Sequence, residues 1–390
     1  MQAGSRPQVR KPARLGVKLQ HGLSTAVCRD RARGETRKAK ETCMNEISRR
    51  EFVGALCMGT AGLAMDPLSL GENATGAIKP IRGSWFEFQH HATVEGVDWN
   101  PACACFTAAQ WDAKIQEMAE AGLQYLVLMA TALYYRSFYK TTIYPPWRLA
   151  CADPLEAVLA AADKHKIKFF VGAGFYGNWQ SQNVIKDPVA GRKRLQSLGE
   201  LAQLYGHHPS FYGWYWPDEA EIRPHYSPEF LKYVNTLSHE ARQLKPRAPI
   251  MIAPYGTRMA EPDDAYVRQL DAMDVDIVAY QDEVGVQKSK VNETARFYEG
   301  LKKAHDRAQK AKIWADIEMF VFQGEVYNSA LMPAPFERVL EQMKAVSPWV
   351  DEILVYQYLG LMNRPGSSAF AGSPQSTRLF SDYMAWRKHS

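Results

Sequence analysis

The sequence is defined first by what it does not contain. No stretch after the N-terminal leader approaches the roughly 20 apolar residues that cross a bilayer, although 46% of the 390 residues are hydrophobic. A membrane-spanning body is excluded. The first strand of the body closes on Gln89-His90-His91 and no Gly-x-Gly-x-x-Gly follows it, so the phosphate-cradling turn of a doubly wound dinucleotide fold is missing. Cysteine is scarce: of six residues, Cys28, Cys43 and Cys57 lie in the leader region, leaving Cys103, Cys105 and Cys151. An odd number at such spacing is no disulfide framework, and no Cys/His pair at zinc spacing follows Cys103-Ala104-Cys105. These cysteines read as small buried thiols in a loop. Neither a metal nor a cofactor is expected.

Basic charge is missing from the body as well. The chain carries a net charge of +5, but residues 1–43 hold eleven Lys or Arg against Asp30, Glu35 and Glu41. Everything after them is mildly acidic, which is not the footprint of a nucleic-acid binder.

What stands at the N-terminus is an address. Ser48-Arg49-Arg50-Glu51-Phe52, followed by the small apolar segment Gly54 to Met65, resembles a twin-arginine export signal. Leu56 before Cys57 argues against a lipidated cysteine, and cleavage fits near Ala64 or near Gly76-Ala77. The segment is too short for a stable span, although an uncleaved leader could tether the protein. Residues 1–43 read as disordered or as a translation start set ahead of Met44. The expected organisation is therefore 1–43 as this basic segment, 44–80 as signal and linker, and 81–390 as a single folded domain, periplasmic or secreted and monomeric.

That domain alternates strand and helix eight times. The strands are expected at Gly83–Gln89, Tyr125–Met129, Lys168–Gly174, Phe211–Trp216, Pro249–Pro254, Val275–Tyr280, Ile313–Ile317 and Glu352–Tyr356. Between them run 3.6-periodic segments, with Thr107 as the expected cap of the first. Eight units in some 310 residues is the size of a closed (β/α)8 TIM barrel.

Chemistry in such barrels sits at the C-terminal strand ends. Here those ends carry carboxylates, amides and aromatic rings: Trp85, Gln89, His90, Tyr134, Trp179, Trp216, Asp218, Tyr255, Gln281, Phe320 and Tyr356. Rings offer faces to sugar C–H groups and amides grip hydroxyls, while Lys and Arg are too few for a phosphorylated substrate. Two of the ends close on glutamates, Trp216-Pro217-Asp218-Glu219 on the fourth strand and Asp316-Ile317-Glu318 on the seventh. Strands four and seven face each other across an eight-stranded mouth. Paired carboxylates there suit glycoside hydrolysis, retaining at a separation of about 5–5.5 Å and inverting at about 6.5–9.5 Å. Glu219, beside apolar Trp214, Trp216 and Pro217, is the expected general acid/base. Glu318 is the expected nucleophile, held ionised by Tyr or Gln donors, and Asp218 or Asp282 could replace either.

At these motifs the chain resembles a bacterial family of uncharacterised TIM-barrel proteins grouped with the glycoside hydrolases. The likeness rests on Gly83-Ser84-Trp85-Phe86, Gly213-Trp214-Tyr215-Trp216-Pro217-Asp218-Glu219, Tyr280-Gln281-Asp282-Glu283-Val284-Gly285 and Trp314-Ala315-Asp316-Ile317-Glu318-Met319-Phe320. It implies a glycosidase-type barrel with Glu219, Asp282 and Glu318 in its site. The placement on strands four and seven is also similar to the retaining clan of cellulases and mannanases, which has Asn where this chain has Asp218. The function expected is an exported, cofactor-independent, retaining glycoside hydrolase acting on an oligo- or polysaccharide. The rivals are a non-catalytic carbohydrate-binding barrel and a polysaccharide lyase using Tyr255 and Arg258.

Overall fold

The computed structural model describes residues 77–178, 184–219 and 221–390. The export motif, the basic segment before it and Trp179 lie outside them. Eight strands, β1 (Ile81–Phe86), β2 (Tyr125–Leu128), β3 (Lys168–Gly172), β4 (Phe211–Trp216), β5 (Ile250–Ile252), β6 (Ile277–Gln281), β7 (Lys312–Glu318) and β8 (Glu352–Tyr356), form one closed barrel. Each pairs in parallel with its sequence neighbours, and β1 closes on β8. Helices cross back between strands: α1 (Asn100–Cys105) and α2 (Ala108–Glu120), then α3 (Pro154–His165), α4 (Pro188–Tyr205), α5 (Pro228–Leu244), α6 (Asp264–Ala272), α7 (Val291–Ala308) and α8 (Phe336–Val346), with α9 (Ser376–Arg387) last. This is the expected (β/α)8 architecture. Among the described residues, no helix is long and apolar enough to cross a membrane.

Local chemistry sets the boundaries. Thr107 caps α2 in a reciprocal box: its Oγ1 accepts from Gln110 N at 3.3 Å, while Gln110 Oε1 accepts from Thr107 N at 3.0 Å. Asp153, Asp187 and Ser227 cap α3, α4 and α5, each with proline in the first turn. The fifth strand is shorter than expected because Pro249 and Pro254 have no N–H to give a ladder. The third stops at Gly172, before Gly174 takes a φ of 91°. Cys103 and Cys105 belong to α1 rather than to a loop, and Cys105 is disulfide-bonded, not a plain thiol; Cys103 and Cys151 are free and buried.

Alternation along each strand separates two populations of side chains. On β4, Tyr215 points inward against Trp85, ring centroids 5.9 Å apart, while Trp216 points outward and donates from Nε1 to Ser238 Oγ of α5 at 3.1 Å. On β7 the inward column is Trp314, Asp316 and Glu318. Trp314 meets Tyr125 at 4.9 Å near the N-terminal ends of the strands, and the two carboxyls above it reach the mouth.

Gly213 on β4 is required by this crowding. A Cβ there would stand 2.5 Å from both the Pro249 carbonyl oxygen and the Phe170 ring. Gly213→Ala is predicted to cost about 2 kcal/mol, the scale of an overpacked core. Urea unfolding checks this, and a midpoint equal to wild type would refute it.

Candidate active site

The C-terminal ends of the strands enclose a cleft of about 290 Å³. Glu219 enters it from the end of β4, Tyr255 from β5, Gln281, Glu283 and Lys288 from β6 and its loop, Asp316 and Glu318 from β7, and Tyr356 from β8. His90, His91 and Glu95 follow β1. A hairpin absent from the sequence reading, Phe320–Phe322 paired antiparallel with Leu331–Pro333, supplies Phe320, Phe322 and Leu331, and Tyr327 from its turn. Acid groups and rings therefore share one concave surface.

Of the expected site residues, seven meet there: His90, Glu219, Tyr255, Gln281, Glu318, Phe320 and Tyr356. The others are placed elsewhere. Trp85 is buried inside the barrel beside Tyr215, and Trp216 faces the helices. Gln89 spends its amide on the Phe88 and Asn100 carbonyls at 2.7 and 3.0 Å. Tyr134 is exposed and donates to the His91 carbonyl. Asp218 points outward, one residue out of phase with Glu219, and pairs with buried Arg194 at 2.9 Å. Burial raises the Asp218 carboxyl, and the Arg194 charge opposes that shift without cancelling it. The position where the retaining clan keeps Asn is thus occupied here by a group that braces β4 against α4.

Asp282 also faces away from the cleft. Its Oδ1 accepts from Val284 N at 3.2 Å and Glu318 N at 3.1 Å, and its Oδ2 from Gln342 Nε2 of α8 at 2.6 Å. Gln342 and Arg338 of α8 further hold the Glu318 carbonyl at 3.1 and 2.7 Å. Asp282 is the peg on which the end of β7 hangs.

Burial raises the carboxyls of the cleft, and their mutual repulsion adds to it. Burial, opposed by Gln281 and Lys288 and reinforced by Asp218 and Glu283, pushes Glu219 up to about 7. The residue is exposed at the open mouth, where its proton can exchange with solvent. Burial and the charge of Asp282 push Glu318 well up. The expected Tyr or Gln donors to its carboxylate are replaced by the backbone N–H of Val286, 2.8 Å from Oε2. That donor opposes the upward shift without cancelling it. Burial together with Glu318, Asp282 and Glu219 raises Asp316 as well, and its buried Oδ1 has no hydrogen-bond partner. Asp316 was not singled out as a site residue, although period-two alternation from Glu318 places it on the same face.

On the opposite wall, His90 Nδ1 lies 2.6 Å from Glu87 Oε1 and Nε2 lies 3.1 Å from Glu95 Oε2. Burial alone would depress this imidazole; the two carboxylates outweigh it and carry it up to about 9. Glu87, His90 and His91 present atoms within 4.8 Å of one another, as do Glu156, His207 and His208 before β4. In the first group both His90 nitrogens are already engaged by carboxylates. In the second, His208 is held by Asp163 and Glu156 at 2.6 and 3.1 Å, at the end of the barrel away from the cleft.

The raised carboxyls have a stability consequence with a definite sign. An unfolded aspartate releases its proton at about pH 4, whereas folded Asp316 retains it to higher pH. Above that pH the folded state binds more protons than the unfolded one, so stability falls as pH rises. Asp316→Asn is predicted to raise the Tm at pH 8 and to change it little at pH 4. Calorimetry at the two pH values decides it, and a variant less stable than wild type at pH 8 contradicts the assignment.

Solved structures share this architecture. A Bacteroides thetaiotaomicron protein assigned as an alpha-L-fucosidase matches with a TM-score of 0.64 at 17% identity, covering 84% of this chain and 100% of that one. The endo-beta-1,4-mannanase of Thermotoga petrophila matches with a TM-score of 0.51 at 11% identity, over 80% and 77% of the two chains. A GH2 beta-galacturonidase from Eisenbergiella tayi gives 0.50 at 14% identity over 79% of this chain, which spans 51% of that enzyme. At these identities the likeness is one of fold, a glycosidase-like barrel, and three different activities among three neighbours assign no substrate. No curated protein matches the sequence. Residues 81–369, most of the chain, match the domain of unknown function DUF4434, and the protein belongs to that family.

Proposed function

We propose that this protein is an exported, retaining glycoside hydrolase acting on an oligo- or polysaccharide, with Glu219 as general acid/base and Glu318 as nucleophile. The observation that carries the reading is the meeting of these two carboxyls, from the ends of β4 and β7, in one cleft walled by Tyr255, Phe320, Phe322, Tyr327 and Tyr356. Sugar rings pack against such faces, and Gln281 and Glu283 are available to hydroxyls. Glu219, pushed up to about 7, carries a proton for the leaving oxygen at mildly acidic pH and can later return to base. The chemistry needs no cofactor. Export rests on Ser48-Arg49-Arg50-Glu51-Phe52 and the apolar segment after it.

Glu318 attacks only when ionised, and its raised affinity for a proton works against that. Substrate must offset it by bringing oxocarbenium-like positive charge to the carboxylate in the transition state. The rival reading of a non-catalytic binding barrel draws on the same upward shift: a Glu318 that kept its proton with sugar bound would leave a cleft that grips without cutting. The inverting alternative through Asp282 is disfavoured, since that carboxylate spends its lone pairs on Val284, Glu318 and Gln342 behind the strand.

A panel of oligosaccharides and 4-nitrophenyl glycosides scored for hydrolysis separates these readings. Glu219→Gln and Glu318→Gln are each predicted to lower kcat by about 100-fold or more on the natural sugar. Wild-type rates in both would end the assignment. The pH profile should be bell-shaped. One limb falls near 7, where Glu219 exchanges its proton, and the other is set by the Asp282–Glu318 pair. Removing the Asp282 charge makes Glu318 easier to ionise, so Asp282→Asn is predicted to move the limb set by that pair to lower pH. A shift in the opposite direction contradicts the coupling.

A further inference from the structure

The cleft wall between β1 and β8 holds a chain of polar groups that the proposed reaction leaves unused. It begins at Glu95, whose Oε2 lies 3.1 Å from His90 Nε2, and continues from His90 Nδ1 to Glu87 Oε1 at 2.6 Å. Gln357 Nε2 donates to the same Glu87 oxygen at 2.6 Å, fixing it as an acceptor. An ionised carboxylate accepts hydrogen bonds and donates none. A ring nitrogen facing one must therefore carry the proton, and His90 has a carboxylate at each nitrogen.

The consequence falls on Tyr356. Its hydroxyl stands 3.1 Å from His90 Nδ1. A protonated Nδ1 offers the phenol no lone pair, so the Tyr356 oxygen can only accept there, and its own proton must turn elsewhere. Tyr356 lines the cleft and is the register partner of Glu318 across β8 and β7.

We propose that His90 is a positioning residue, an imidazolium clamped between Glu87 and Glu95, which orients the Tyr356 hydroxyl as a hydrogen-bond donor to an electron-rich oxygen of the ligand in the cleft. Only the identity of that ligand as a sugar rests on the glycosidase reading; the charge of His90 does not. The groups facing the ring are Glu87, His91, Glu95 and Tyr356, with the Trp99 ring edge-on at 5.4 Å. His91, held down to about 3 by burial and by the charge of His90, does not compete for the proton. The arrangement fixes the ring between Glu87 and Glu95, so its orientation toward Tyr356 is set from both nitrogens.

Nitrogen NMR of the full chain with labelled histidine tests the charge directly, with the His90 signals assigned by their loss in His90→Gln. Both His90 ring nitrogens are expected to show protonated shifts through pH 8, with a midpoint of about 9. Glu95→Gln should lower that midpoint, while Glu156→Gln, at the other end of the barrel, should leave it in place. A single-proton tautomer at pH 7 overturns the proposal. So does one equivalent of Zn²⁺ that shifts the His90 nitrogens in wild type but not in Glu87→Gln, which would make the cluster a metal site instead.

The Tyr356 arm uses whichever 4-nitrophenyl glycoside the panel shows to be hydrolysed. Tyr356→Phe should lower kcat/KM about tenfold, the scale of one lost hydrogen bond. Glu95→Gln should lower it progressively as pH rises above its reduced His90 midpoint. Unchanged kcat/KM in Tyr356→Phe refutes the orientation. Failure of every glycoside to react sinks the hydrolase reading, while the nitrogen shifts still decide the state of His90.

Discussion

Everything distinctive about this barrel follows from forcing like charges together in a poorly solvated mouth. Parallel strands with period-two side chains bring Asp316 and Glu318 up one inward column, with Glu219 arriving from β4 and Asp282 pressed against the back of β7. In that setting burial raises each carboxyl, Asp282 further raises Glu318, and Glu318, Asp282 and Glu219 further raise Asp316. Such an arrangement costs stability at neutral pH, and natural folds tolerate that cost mainly where it serves chemistry. Burial first, and the charges of Asp218 and Glu283 after it, raise Glu219, while burial and Asp282 raise Glu318.

The outward faces of the same strands hold the mouth in shape. Asp282 binds two backbone N–H groups and Gln342, while Arg338 grips the carbonyls of Glu318 and Phe320 from α8. Asp218 is tied to Arg194 on α4, and the Arg194 guanidinium lies 5.3 Å above the Tyr233 ring of α5. Removing one member of such a buried pair strands its partner's charge. These contacts explain how two adjacent acids, Asp218 and Glu219, take unrelated roles: alternation sends one to the scaffold and the other to the cleft.

Much of this was legible in the sequence where the physics is local. The Asp-Pro and Ser-Pro pairs that cap α3, α4 and α5, and the apolar runs between them, mark the eight units without reference to tertiary contacts. Glu219 and Glu318 were legible because a strand ending on a carboxylate is unusual. What failed was reading strand ends as lists rather than as two faces. Trp216, Asp218 and Asp282 were placed in the site, although one residue of phase turns each toward the helices, and Asp316 was passed over for the same reason. Glu87 and Gln357 stand at the ends of the first and eighth strands, but their meeting with each other and with Glu95 around His90 could not be found this way. They meet through an irregular loop after β1 and the end of β8, and no periodicity encodes that meeting.

The fold is shared with glycosidases of differing specificity, so its claim to catalysis rests on the two carboxyls rather than on the barrel. Covalent trapping addresses that claim most directly. The protein would be incubated with a panel of 2-deoxy-2-fluoroglycosyl fluorides, weighed intact and then peptide-mapped. The account predicts a single glycosyl adduct on Glu318, formed more slowly in Glu219→Gln where a poorer leaving group is used. An adduct on Asp316, Asp282 or Glu219, or turnover of a sugar in the panel with inversion at the anomeric carbon, would contradict it.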